Sequence, residues 1–213
     1  MLFRSPLPDE ERRPNTILYV GNSEDRNKGA RYLIEALYEL ANDRRDYQLV
    51  LVDQKKDRLK LVPRLVREYG LSSRVHFAGR VSTEQLVRLY NQATLVVSPS
   101  LYEGFGLPVA EAMACGAPVI ATTGGAFPEI VDHQETGWLV PPGDSHALAD
   151  AIRLLMDNPG LRERLGSAGR SRIVERFSWR KAAEQTLAVY EEMVRHPAKA
   201  NEGLLAPSAG GMR

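Results

Sequence analysis

The chain has 213 residues, of which 43% are hydrophobic and 26% are charged, and its formal net charge is +1. This composition is typical of a soluble globular protein, and the near-neutral charge excludes a bulk field that would attract nucleic acid or an acidic membrane. The single cysteine, Cys115, cannot form an internal disulfide, and the sequence shows neither an apolar span nor an apolar signal core, so we expect a cytoplasmic protein.

Short β-rich segments alternate with helical segments from residue 16 onward. The predicted strands are 16–21, 47–53, 74–79, 94–100 and 117–123, and the predicted helices are 28–42, 57–70, 82–93, a segment that begins near Pro108, 145–157, 159–175 and 179–195. We expect Pro63 to kink its helix, and Trp138 and Leu139 to lie in the core at a strand.

This alternation predicts an α/β fold with one Rossmann-like domain over residues 16–196, in which helices cover both faces of an open parallel sheet. Residues 1–15 are rich in proline and charge and are expected to be a linker, and residues 197–213 are expected to be a disordered tail. Sheets of this kind bind ligands beyond the carboxyl ends of their strands, so the loops after residues 21, 53, 79, 100 and 123 are the candidate sites.

The segment YEGFGLPVAEAMACG (102–116) occupies one of these positions, between a strand and a helix. Gly104 and Gly106 allow the backbone to approach a ligand closely, and the proline that follows is tolerated in a first helical turn. The free N–H groups at a helix start suit a phosphate, whereas the carboxylates of Glu103 and Glu111 suit ribose or sugar hydroxyls. Alone, Glu111 could complement the helix dipole and Glu103 could be solvated. The full arrangement favours a functional site.

Two stretches, SPSLYEGFGLPVAEAMACGAPVIAT (98–122) and GGAFPEIVDHQETGWLVPPGDSHALADAI (124–152), closely resemble retaining glycosyltransferases of family four, including their motif of two glutamates separated by seven residues. The resemblance extends from Thr16 to about Arg195. It implies that the domain is the C-terminal half of a GT-B fold, which binds the nucleotide-sugar donor.

The resemblance also implies roles for individual residues. Glu103 and the amides of the following glycine-rich turn would contact the donor sugar and phosphates. Glu111 would contact the ribose and Lys28 would contact the diphosphate. The backbone of residues 79–81 would contact the base. The implied donor-binding residues are Asn22, Arg26, Lys28, Gly79, Arg80, Val81, Glu103, Gly104, Phe105, Gly106, Leu107 and Glu111, with Lys28 and Glu103 as the catalytic residues.

The loop GNSEDRNKG (21–29) lacks the Gly-x-Gly-x-x-Gly spacing of a dinucleotide site. Lys28 alone would be interpreted as a solvated residue at a helix start, and the resemblance makes it a counter-charge for the leaving diphosphate. The family usually has an arginine where Asn22 stands, and Arg26 is a candidate to replace that charge. Asp53 would suit the ribose of a dinucleotide enzyme, but the glycine fingerprint for that class is missing.

The sequence predicts no metal and no other cofactor. The histidines, at positions 76, 133, 146 and 196, show no ligand spacing, and there is no Asp-x-Asp triplet. Arg80 and its neighbours could equally be an ordinary strand end. Cys115 is expected to be a small packed hydrophobic residue.

In the resembled enzymes the acceptor binds a separate N-terminal domain, which this chain lacks; its first residues look like the remnant of the connection between domains. The isolated chain is therefore expected to be inactive, and the missing half is expected to be its partner. Any peripheral contact with a membrane is expected to be made only through that missing half. A terminal helix, 178–194, places Trp179, Ala183, Leu187, Tyr190 and Val194 on one face, and Tyr190 and Val194 are expected to be exposed without that half. A non-catalytic sugar-nucleotide-binding module and a nicotinamide-dependent oxidoreductase are the alternatives.

Overall fold

The computed structural model describes residues 11–41, 46–53 and 61–195. Within them lies one six-stranded sheet with the strand order β3-β2-β1-β4-β5-β6, in which every neighbouring pair is parallel. The strands are β1 (Thr16–Val20), β2 (Gln48–Val52), β3 (Val75–Phe77), β4 (Leu95–Ser98), β5 (Val119–Thr122) and β6 (Trp138–Val140). The predicted Rossmann-like fold class is confirmed.

The helices are α1 (Ala30–Leu40), α2 (Leu61–Glu68), α3 (Thr83–Gln92), α4 (Leu107–Ala114), α5 (Phe127–Ile130), α6 (Ser145–Asp157), α7 (Pro159–Arg176) and α8 (Trp179–Arg195). On one face of the sheet α1 packs against α2 and α6, and on the other α3 packs against α4. This division follows from the strand order, because right-handed crossovers that lead away from β1 in opposite directions place their helices on opposite faces.

The core lies between the sheet and these helices because the central strands are apolar on both faces. All of β5 is buried, as are three of the four residues of β4. α1 contributes Leu33, Ile34 and Leu37, which its helical periodicity brings to one side. Cys115 is fully buried, as predicted.

The direction of the strand order reverses between β1 and β4. β1 is followed by β2 on one side, and β4, β5 and β6 continue on the other. Such a switch point leaves a crevice beyond the carboxyl ends of the two strands, which is where open α/β sheets bind ligands. The loops 21–29 and 99–106 border this crevice.

Several predicted elements differ in detail. The expected helix 28–42 is divided into a 3₁₀ turn, Arg26–Lys28, and α1, because Gly29 between them is left-handed with φ of 63°. The described part of α2 begins at Leu61, so Pro63 lies in its first described turn, and the expected kink stays a prediction. Trp138 and Leu139 form β6 but are only half-buried, because β6 is an edge strand.

The chain divides into two compact units at Val174 and Glu175, and α8 belongs to the second. Taken by itself, α8 has no buried residue, and all five apolar residues of its predicted face are exposed. Among the described helices, none combines the length and apolarity needed to span a bilayer. Residues 1–10 of the predicted linker and the predicted tail, 197–213, lie outside the described residues.

Candidate functional site

Two of the predicted residues, 75 positions apart, form an ion pair at the switch point. Lys28 Nζ donates a hydrogen bond of 2.6 Å to Glu103 Oε1, and Ser100 Oγ donates to the same oxygen at 2.9 Å. The side chain of Glu103 is 12% exposed and that of Lys28 33% exposed. Because the pair is largely shielded from water, its attraction is less screened than that of a surface pair. The cationic head of Lys28 is thus held at a defined point of the crevice.

The loops that carry this pair are joined through their backbones. The N–H of Leu101 donates to the carbonyl of Asn27 at 2.7 Å, and the N–H of Ala126 donates to the carbonyl of Glu103 at 2.9 Å. Gly29 and Gly125 are required at these contacts, because a Cβ at either position would collide with a backbone carbonyl of the 99–103 segment. The loops after β1, β4 and β5 therefore form one connected edge.

The turn after Glu103 leads directly into α4. Gly106 is left-handed, with φ of 85°, and no side chain caps the helix start. Gly104 has open space around it, and Phe105 and Leu107 are 41% and 61% exposed. Uncapped N–H groups at a helix start attract an anion, so this turn has the chemistry to receive a phosphate.

Glu111 lies one turn further along α4, where Tyr90 holds it. The Tyr90 hydroxyl of α3 donates to Glu111 Oε2 at 3.0 Å, and no described residue donates to the other carboxylate oxygen. Burial raises the pKa of Glu111, and the hydrogen bond from Tyr90 lowers it in part. The free oxygen can accept a hydrogen bond from a ligand. Tyr90 was missed in the sequence because its helical spacing identifies it only as an apolar residue.

Acidic side chains organise the loop 21–29 without entering the crevice as free charges. Asp53 accepts hydrogen bonds from both the N–H and the hydroxyl of Ser23. Glu24 accepts from the first two N–H groups of the described part of α2, and Asp25 caps the 3₁₀ turn through Asn27 at 2.9 Å. Asp53 is thus a structural anchor of the loop.

The remaining predicted residues occupy two separate places. Asn22 and Arg26 are exposed on the loop 21–29. Gly79, Arg80 and Val81 follow β3 and precede the capping box of α3; they share the carboxyl edge of the sheet, but β2 separates their strand from β1. The ion pair of Lys28 does not extend to either group.

One buried donor near the crevice was also missed. The Tyr19 hydroxyl has no hydrogen-bond partner among the described residues, and a Cβ built at Gly21 would lie 3.2 Å from its oxygen. Burial, followed by the charge of Asp53, raises the pKa of Tyr19, so the hydroxyl keeps its proton. The signal is absent from the sequence, where Tyr19 is one apolar position of a buried strand.

A cluster of potential metal ligands lies on α1 and α6. Glu39, His146 and Asp150 each offer one ligand atom within 4.8 Å of the others. The hydrogen bond with Glu39 raises the pKa of His146. Arg153 donates to Asp150 at 2.6 Å and lies 3.8 Å from Glu39, so these carboxylates already have a counter-charge. The cluster contains none of the predicted donor-binding residues.

Comparison with known proteins identifies the family to which the chain is similar. The family described as glycosyl transferases group 1 matches residues 6–172. An MMP alpha-(1->4)-mannosyltransferase of Mycolicibacterium hassiacum is 40% identical over 193 residues, which are 88% of this chain and 45% of that protein. The chain spans about half the length of the curated relatives it matches.

Solved structures show the same relationship. Sucrose-phosphate synthase from Thermosynechococcus elongatus superposes with a TM-score of 0.76 at 38% identity, over 88% of this chain and 46% of its own. Anabaena HepE in complex with UDP-glucose superposes with a TM-score of 0.75 at 26% identity, over 84% of this chain and 49% of its own.

Proposed function

Because the chain belongs to the glycosyl transferases group 1 family, we propose that it is the donor-binding half of a retaining glycosyltransferase that transfers a hexose from a nucleotide-diphosphate sugar to an acceptor. The observation that carries this proposal is the ion pair of Lys28 and Glu103 at the switch point of the sheet. It places a cation and a carboxylate beside an uncapped helix start, which suits a ligand with both phosphates and hydroxyls.

Lys28 is proposed to stabilise the leaving nucleoside diphosphate. Negative charge grows on the diphosphate as the bond to the sugar breaks, and a fixed ammonium group favours that charge. Glu103 holds Lys28 in place before the donor arrives. When the donor binds, Lys28 shifts part of its hydrogen bonding to the diphosphate, and Glu103 becomes available to hydroxyls of the sugar.

The other predicted residues are assigned to the remaining parts of the donor. The free oxygen of Glu111 would accept a hydrogen bond from the ribose, with Tyr90 fixing the carboxylate. The amides from Gly104 to Leu107 would bind phosphate oxygens, and Arg26 would supply the charge that Asn22 does not. The backbone of residues 79–81 would lie along the base.

The acceptor site is proposed to lie on an N-terminal half that this chain does not supply. The chain spans about half of its curated relatives, and α8 presents exposed apolar side chains, including Leu187, Tyr190 and Val194. Exposed apolar patches mark interaction surfaces, and we assign this one to the missing half. The isolated chain should therefore bind donor without transferring sugar.

Donor binding is proposed to need no metal, since Lys28 already places a cation in the crevice and the sequence has no Asp-x-Asp triplet. Calorimetry with UDP-, GDP- and ADP-glucose, with and without a chelator, tests this. Binding of at least one donor that survives chelation is expected. Chelation that abolishes binding would contradict the metal-free proposal alone.

Glu103→Gln tests the site itself. It should weaken the sugar nucleotide much more than the free nucleotide, because only the former carries the sugar. Glu129→Gln, an exposed residue of α5 with the same change of charge, is the matched control. If no sugar nucleotide binds the folded wild-type chain at millimolar concentration, the proposed function is wrong.

A further inference from the structure

A cavity of about 480 Å³ lies at the opposite edge of the sheet from Lys28. Gly116 and Pro118, which line it, precede β5, and Arg12 precedes β1, so the cavity faces the amino ends of the strands. The rest of its lining is Cys115 together with Pro159, Arg162, Glu163, Ser167 and Arg170 of α7. None of these residues belongs to the candidate donor site.

The charge of this lining is unbalanced. It contains three arginines and one acidic residue, Glu163. Among the described residues, Arg12 and Arg162 form no ion pair, and both donate only to neutral backbone carbonyls. Burial, followed by the charge of Arg162, lowers the pKa of Arg12, and burial lowers that of Arg162. Two like charges in one concavity favour an anion between them.

The same hydrogen bonds fix the guanidinium groups in position. Arg12 Nη1 and Nη2 donate to the carbonyls of Ala93 and Gly116, each at 2.7 Å. Arg162 Nη1 donates to two carbonyls in the last turn of α6, those of Leu155 and Met156, at 2.6 and 2.7 Å. Each guanidinium has five N–H donors, so donors remain after these bonds are made. A ligand would meet groups that have already lost their rotational freedom.

The size and walls of the cavity indicate the class of anion. Small-molecule sites typically enclose ~300–1,000 Å³, so this volume has room for more than an inorganic ion. Arginine matches the geometry of phosphate oxygens, and Pro118 and Pro159 offer apolar surface beside the arginines. We propose that this cavity binds an organic phosphomonoester, with the phosphate on Arg12 and Arg162 and the organic part against the two prolines. The proposal does not depend on the glycosyltransferase function.

Calorimetry with glycerol 3-phosphate and with inorganic phosphate tests the proposal. Both should bind the folded chain, glycerol 3-phosphate more tightly because it also contacts the prolines. Since either probe could also occupy the diphosphate site, the titration is repeated with Lys28→Gln, in which binding should persist unchanged. Binding that disappears in Lys28→Gln, or absence of binding by both probes at millimolar concentration, would overturn the proposal.

Variants of α7 test the location without disturbing the arginine hydrogen bonds. Ser167→Glu adds a carboxylate to the lining and should weaken glycerol 3-phosphate by roughly tenfold or more, whereas the similarly sized Ser167→Gln should not. Glu163→Gln should tighten binding. Arg164→Gln, which changes an exposed charge of the same helix outside the cavity, should have no effect.

Melting of each variant without ligand checks that it is folded. Equal losses in Ser167→Glu and Ser167→Gln would show that charge is not responsible. An effect of Arg164→Gln as large as that of Ser167→Glu would place the anion elsewhere. Either result would refute the assigned site.

Discussion

Glu111→Gln should weaken nucleotide binding and at the same time stabilise the ligand-free chain. The substitution keeps the size of the side chain and leaves an oxygen that can accept from Tyr90. It removes a charge that is partly buried, and burial is the dominant cause of the raised pKa of Glu111. The ionised carboxylate therefore destabilises the folded chain, which is typical of a residue whose function is to bind a ligand.

The stability gained by the Glu111→Gln variant should depend on pH in a defined direction. Since the pKa of Glu111 is higher in the folded chain than in the unfolded chain, ionising it destabilises the fold. The advantage of the glutamine variant should be complete above the folded pKa. It should shrink as the pH falls through that value and disappear below the ordinary glutamate pKa of about 4.3, where the carboxyl is protonated in both states.

The binding loss can be estimated from the hydrogen bond that the free carboxylate oxygen would make to the ribose. A charge-assisted hydrogen bond contributes about 1.5–3 kcal/mol, so the dissociation constant should rise roughly ten- to hundredfold. UDP and UDP-sugar should be affected alike if uridine is the base, because both contain ribose.

Thermal melting between pH 4 and 8 and calorimetry with nucleotides measure the two effects, with Glu129→Gln as the control for a change of charge. A lower melting temperature for Glu111→Gln at neutral pH would show that the carboxylate stabilises the fold. An unchanged nucleotide affinity would refute its assignment to the ribose.

Three further predictions concern other parts of the molecule. Gly125→Ala should lower both the melting temperature and the donor affinity, because its Cβ would collide with the backbone carbonyl of Glu103. Gly104→Ala has open space around its Cβ and should weaken donor binding without changing the melting temperature. Equal melting temperatures of the two variants would contradict this. Arg26→Ala should weaken nucleoside diphosphate more than nucleoside, and an unchanged ratio would make Arg26 an ordinary surface residue. Glu39→Gln should lower the pKa of His146, measured by NMR titration, because the hydrogen bond to Glu39 raises that pKa. The stabilisation from that bond is present below the unfolded histidine pKa of about 6.5 and is lost as the pH rises through the folded pKa. An unchanged titration midpoint in the variant would disprove the contact.

The sequence predicted the sheet well because parallel strands are continuously apolar and alternate with amphipathic helices. It located the ends of elements less well where a single residue decides them. Gly29 divides the expected first helix because its backbone must be left-handed and close to Pro99, a contact that links distant parts of the chain. β6 has only three residues and lies at an edge, so it lacks the buried pattern of the central strands.

The candidate site shows a similar division. Lys28 and Glu103 were assigned to one ligand from the resemblance, and the structure brings them into contact. Their direct ion pair was not predicted, since it depends on the joining of two loops. The contact between Tyr90 and Glu111 was also missed, because whether a helical tyrosine directs its hydroxyl toward a carboxylate depends on the packing of α3 against α4.

The ion pair of Lys28 and Glu103 has a consequence for the kinetics of donor association. A lysine whose charge is already matched by a carboxylate 2.6 Å away projects little field into the solvent. An approaching diphosphate would therefore be attracted weakly until it enters the crevice, and steering by long-range charge would be small. Added salt should consequently act on the Lys28 contribution mainly through how long the donor remains bound, and any salt dependence of the association rate should come from exposed charges such as Arg26.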